Sequence, residues 1–173
     1  MLSTYPASWK RIFLQMKYVQ LFSLIVFSLG AIFFWRTALE RWSRGNALIS
    51  LLGVHVFRVL VLWVIPAQRG GLPVSDAAVT EIVTGDLSGA AIALVSIVAL
   101  YRRSSLGIPL AWLVLIETFA DIGVAIHRRL VEPLNVEPSG PLYFVLAFFV
   151  PLMLVTLPLL IWQLSSRWKE PLS

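Results

Sequence analysis

Residues 47–66 read ALISLLGVHVFRVLVLWVIP, and within this stretch only His55 and Arg58 carry ionisable side chains. An apolar run of this length matches the ~20 residues that an α-helix needs to cross ~30 Å of hydrocarbon. Four similar runs flank it, so water is not the solvent of this chain. The expected fold is all-α, a polytopic transmembrane helical bundle of about five spans, at 18–35, 47–66, 79–101, 107–127 and 142–164. All five belong to a single transmembrane domain, 1–173.

The boundaries carry the chemistry of membrane interfaces. Arg36, Glu40, Arg41 and Arg44 close the first span, and Arg102 and Arg103 close the third. Gln68 to Pro73, with Gly70 and Gly71, reads as a turn-rich loop, and Pro133, Pro138 and Gly140 mark a second one. Trp162 and Trp168 belt the end of the fifth span. Met1 to Lys17, with Trp9, Lys10, Arg11, Phe13 and Lys17, reads as an interfacial lead-in. Residues 18–35 are too long for a signal-peptide core and lack a small-residue cleavage site, so the first helix is expected to stay.

Composition excludes several classes. With 58% hydrophobic and 13% charged residues, the chain is far from the ~25% charged of soluble domains. A disordered or fibrous chain is excluded by the same numbers. The net charge of +5 would suggest nucleic acid in a soluble protein, but here the cations sit at span ends as anchors, and no nucleic-acid partner is implied. With no cysteine there is no disulfide, thiolate metal site or thiol nucleophile.

An odd number of spans puts the termini on opposite faces. Lys10, Arg11, Lys17, Arg69, Arg128 and Arg129 fall on the N-terminal face; Arg36, Arg41, Arg44, Arg102, Arg103, Arg167 and Lys169 fall on the other. The N-terminal face also carries the longer loops with Asp76, Glu132 and Glu137, which favours an N-terminus outside and a C-terminus in the cytoplasm, against the pull of the three cations that precede the first span.

Five ionisable residues lie at membrane depth: His55, Arg58, Asp86, Glu117 and Asp121. Each costs several kcal/mol there unless paired, hydrated or protonated. Counting ~1.5 Å per residue from the N-terminal-side span ends puts Arg58, Asp86 and Asp121 at ~9–12 Å and His55 and Glu117 at ~15–16 Å. The expectation is therefore two layers, an Arg58 ion-pair layer and a deeper layer in which a protonated Glu117 bonds His55. The i,i+3 spacing of His55 and Arg58 and the i,i+4 spacing of Glu117 and Asp121 put each pair on one helix face. Gly85, Gly89 and Ala93 form a small-residue strip expected to let neighbouring backbones approach.

Taking Arg58 as charged and His55 as neutral, the set carries a net charge of −2, which calls for a proton, a cation or a cationic group. The bland alternative is a buried ion pair that fixes helix register. His55, Glu117 and one aspartate could supply metal ligands, but no metal-binding spacing occurs. His127 sits ~16 Å from the level of His55, which argues against haem. Neither a cofactor nor a metal is implied. Asp76 and Glu81, near the start of the third helix, read as solvated acids with no chemical role. Pro151 and Pro158 free backbone carbonyls and are expected to bend the fifth helix.

Phe57-Arg58, Gly71 and Pro73, Thr84-Gly85-Asp86-Leu87-Ser88-Gly89-Ala90, Trp112 with Asp121, and Pro151 together give a further pointer. Over about residues 57–163 the chain loosely resembles a group of small uncharacterised bacterial multi-pass membrane proteins. The resemblance implies a bacterial cytoplasmic membrane and marks Arg58 and Asp86 as a defining pair. It brings no activity. Where that group is expected to have an amide near position 117 and a late histidine in the last helix, this chain has Glu117 and Leu157-Pro158-Leu159.

Three functions remain open. The first is binding or transport of a small ligand or ion, with a hydrophobic or cationic small molecule as the partner. The second is a membrane-embedded enzyme on a lipid or isoprenoid, with Glu117 and His55 as acid and base. The third is an accessory subunit whose polar network holds the bundle. Partners besides the lipid bilayer would be a second copy, through the glycine strip or the Trp-rich flanks, or a larger membrane complex.

Overall fold

The computed structural model of the chain describes residues 7–131, 140–167, 169 and 170. Among them, five helices are long and apolar enough to cross a membrane: Tyr18–Leu39, Arg44–Arg69, Asp76–Tyr101, Gly107–Arg128 and Pro141–Ser166. No strand occurs among the described residues. The protein is an all-α helical bundle of the multi-pass membrane class.

Polar caps extend the spans beyond their apolar windows. Ser43 accepts a hydrogen bond from the Asn46 amide at 3.4 Å, and Ser75 accepts one from Ala78 at 3.2 Å. Each satisfies one of the orphan N–H groups of a helix start. The second and third spans thus begin at Arg44 and Asp76. Residues 7–17 continue the first helix outward. The interfacial roles expected of Trp9, Lys10, Arg11, Phe13 and Lys17, the loop of Pro133 and Pro138, and Trp168 lie outside the described residues and side chains.

Three spans depart from regular α geometry. The second passes through a 3-10 stretch, Phe57–Trp63, that contains Arg58. The first ends in a π-helical turn, Trp35–Leu39, and the fifth contains another, Val145–Phe149. The latter follows from sequence: Pro151 has no N–H for the carbonyl of Ala147, and the backbone widens there.

The third span packs between the second and the fourth, while the fifth lies against the second and carries the first on its outer side. The first span is therefore peripheral, with Tyr18, Phe22, Leu29 and Phe33 all more than half exposed to the lipid. The main apolar core lies towards the C-terminal face and includes Leu48, Leu52, Val114, Leu115 and Leu160. A smaller one, Val64, Val79 and Leu142, lies towards the N-terminal face. The polar residues occupy the level between the two cores.

Candidate functional site

Arg58 is the largest fully buried side chain among the described residues, only 1% exposed. Its guanidinium has five N–H groups in a fixed plane, and all five find acceptors. Nε donates to Asp86 Oδ1 at 2.7 Å. Nη1 donates to Glu117 Oε2 and, at 3.1 Å, to Thr118 Oγ1. Nη2 donates to Asp121 Oδ2 at 2.8 Å and more weakly to Glu117 Oε1 at 3.4 Å. The Thr118 hydroxyl hydrogen is already given to the Val114 carbonyl, so the oxygen is oriented as an acceptor.

One arginine from the second span thus holds three carboxylates, one from the third span and two from the fourth. Glu117 and Asp121, at i and i+4, form a two-pronged receptor on one helix face. The 3-10 stretch narrows the helix that presents Arg58. Gly89 provides the room: a Cβ there would overlap the Arg58 guanidinium and the Glu117 carboxylate, with Arg58 Cζ 2.6 Å away. Gly85 does the same for Asp121, whose Oδ1 would lie 2.5 Å from an added Cβ. The expectation that this strip brings backbones together is thus sharpened, since its two glycines clear space for an ion cluster.

Two expectations are corrected. Arg58 reaches Glu117 as well as the aspartates, so the three acids form one cluster and not two layers. The long arginine side chain spans the helical turn that separated them. His55 does not bond Glu117. It is fully buried beside the fifth span, with Nε2 3.4 Å from Thr156 Oγ1. Thr156 gives its own hydrogen to the Met153 carbonyl at 2.7 Å, so the His55 ring donates through Nε2 and leaves Nδ1 with no partner. His55 lies in the α-helical part of the second span and Arg58 in its 3-10 stretch. His55 meets the fifth span and Arg58 the third and fourth, so the two occupy different interhelical grooves.

The acids are not sealed. Side chains of Asp86, Glu117 and Asp121 remain 20%, 16% and 22% exposed, while that of Arg58 is fully covered. On the third helix, which carries Asp86, Thr84 and Ser88 are exposed. Ser88 Oγ lies 3.5 Å from Glu117 Oε1 and donates at 2.8 Å to the Gly85 carbonyl. Among the described residues, no three His, Asp or Glu side chains converge in metal-ligating geometry.

Sequence reasoning missed Thr118, the fifth acceptor of Arg58, and gave Glu81 no role. Glu81 in fact pairs with Arg128 across the same seam, one level above Asp121. Its signal was the i+4 spacing from Glu81 to Gly85, which continues the polar stripe outward.

A second feature lies across the bundle. A groove of about 580 Å³ between the first, second and fifth spans is lined by Phe27, Leu60, Trp63, Phe144, Phe148 and Leu152, among others. It is large enough for a hydrocarbon chain, but none of its lining residues is ionisable.

The class defined by this fold and cluster is a multi-pass membrane protein with a buried arginine–tricarboxylate centre. The family model that matches residues 16–165 is described as Domain of unknown function (DUF8737), and the chain belongs to that family. No curated protein and no solved structure shows a significant match to it.

Proposed function

We propose that the protein binds a small cationic solute, exchangeable with protons, at the Arg58 cluster, and that this binding serves ion-coupled uptake or export. One observation carries the reading: all five Arg58 donors are taken, while each carboxylate keeps an open edge. Such a site presents acceptors only. An anion would meet uncompensated like charge, whereas a proton or a ligand cation answers the surplus of two negative charges left when one arginine faces three ionised acids. A bacterial cytoplasmic membrane and an outward N-terminus belong to the same proposal.

The test uses tetraphenylphosphonium, a membrane-permeant cation, with the purified protein in detergent. Saturable binding that weakens as pH falls, because protons compete for the same oxygens, and that is lost in Glu117→Gln, supports the reading. Binding unchanged by Glu117→Gln overturns it.

The complete satisfaction of Arg58 also favours a second reading, an accessory subunit in which the cluster pins helix register. In that case Glu117→Gln leaves the function of a co-purifying complex intact. The enzymatic reading loses its proposed acid–base pair, because Glu117 and His55 occupy different grooves.

A further inference from the structure

The seam between the third and fourth helices continues the cluster to the N-terminal face. On the third helix Glu81, Gly85 and Ser88 follow at spacings of four and three; on the fourth, Arg128, Asp121 and Glu117 follow at seven and four. Both sets lie on single helix faces, and these faces meet. Glu81 pairs with Arg128, Asp121 fits against Gly85, and Ser88 approaches Glu117. At ~1.5 Å per residue the three levels descend from the end of the span to ~10 Å and ~16 Å.

Groups of this kind are costly against acyl chains, and most of the described lipid-facing positions in the two helices are apolar. Polarity is concentrated in a single file, with small residues opposite the acids where a large side chain would block it. The outermost level is an ion pair whose members are 39% and 31% exposed, so it is open to water at the membrane surface. Beyond Glu117 the file stops: one and two turns deeper, Ile92 and Val95 are apolar and Ser96 is turned away to bond the Gly107 carbonyl at 3.0 Å.

We infer that this seam is a hydrated, one-sided lane by which the cluster communicates with the N-terminal face, with the Glu81–Arg128 pair closing its mouth. The inference rests on the binding role proposed above. Arg128 is the positioning residue: its charge holds Glu81 across the lane and repels a cation until the pair separates. Glu81 then serves as the first acceptor for the incoming cation. A cation moves from Glu81 to Asp121 and on to Glu117 and Asp86, while Arg58, covered on all sides, stays in place as the fixed counter-charge.

The absence of cysteine makes the lane directly testable. Single variants Ser88→Cys and Val95→Cys, in proteoliposomes of known orientation, are exposed on either side to the impermeant cationic thiol reagent MTSET. Ser88→Cys is expected to react from the N-terminal side, several-fold faster when combined with Arg128→Ala, while Val95→Cys stays inert. Labelling in denaturant confirms that each thiol is present, and a single gel-filtration peak confirms the fold. Reaction of Ser88→Cys from the opposite side alone, or with neither side, overturns the lane. Should tetraphenylphosphonium bind while Ser88→Cys is inert, the lane falls and the site stands. Should the labelling appear without cation binding, the lane stands as a hydrated crevice and the binding role falls.

Discussion

Arginines tie the helices of this bundle together at two levels, its middle and its C-terminal face, by different means. Arg58 is met by carboxylates from two other helices, whereas at the C-terminal face Arg44 donates to backbone carbonyls and Arg167 divides its donors between backbone carbonyls and the side chains of Glu170 and Gln163. Arg44 donates to the Leu164 carbonyl at 3.2 Å and the Glu170 carbonyl at 3.4 Å. Arg167 donates to the carbonyls of Leu39 and Trp42 at 3.2 and 3.0 Å, and to Gln163 Oε1 at 3.2 Å. Those carbonyls belong to or lie just beyond helix ends, where no intrahelical donor is left. The collar therefore neutralises helix termini and ties the end of the fifth span to the end of the first. Its charges are answered in place, including by Glu170, which pairs with Arg167 at 2.5 Å. The Arg58 cluster instead leaves the edges of three carboxylates open. One arrangement is a latch, and the other is the one to which the proposed function assigns a ligand.

The sharpest way to break the contrast is to remove each arginine. Arg58→Ala leaves three carboxylates in the bilayer without a partner, and loss of one member of a buried charge pair costs about 3–5 kcal/mol. The expected result is failure to give a monodisperse protein. Arg58→Lys, with three donors in place of a five-donor fork, is expected to restore part of the thermal stability but not the full value. Arg167→Ala removes hydrogen bonds that water and lipid headgroups can replace at the membrane face. Its cost is expected near 1 kcal/mol, read as a modest fall in melting temperature.

Next in size is Gly89→Ala. One methyl group displaces the Arg58 head or Glu117, and overpacking of this kind costs about 1–3 kcal/mol. Gly53, where an added Cβ meets nothing within 4 Å, is the matched control, and Gly53→Ala is expected to leave the melting temperature unchanged or slightly raised. Glu117→Gln separates stability from function. It removes surplus charge and keeps a partner for Arg58, so the fold is expected to hold its melting temperature while tetraphenylphosphonium binding disappears. Equal loss of both would make the cluster a second latch.

The smallest expected effect is in the collar and has a definite sign. Hydrogen bonding from Arg167 holds the Glu170 carboxyl below its ordinary value. A group depressed in the folded state stabilises above its unfolded value, ~4.3, and loses that contribution as pH falls through the folded one. Glu170→Gln is therefore expected to lower the melting temperature slightly at pH 7 and to make no difference once the acid is protonated. Glu170 is exposed, so solvent screening keeps the effect small.

Much of the site was legible because lipid penalises charge so strongly that five residues stood out against apolar runs. Arg58, Asp86, Glu117 and Asp121 do meet. The exact partners were not legible, because helix periodicity gives a face to within tens of degrees while an arginine side chain reaches several Å in any direction. His55 shows the limit: three residues from Arg58 on the same span, it meets Thr156 on the fifth span instead. The glycines at 85 and 89 were visible as a strip, but only the packed helices show that the space they leave is filled by charged side chains.

The sequence by itself determined that the chain is a five-span helical bundle, since hydrophobic length and the cost of unsatisfied backbone in lipid admit few other structures. Its apolar runs and terminal cations depend only on residue order. Tertiary structure decided which buried charge answers which, how many donors remain, and which seam stays open. Those depend on helix rotation and neighbour order, and helices in a uniformly apolar solvent are oriented by packing and polar pairing more than by hydrophobicity.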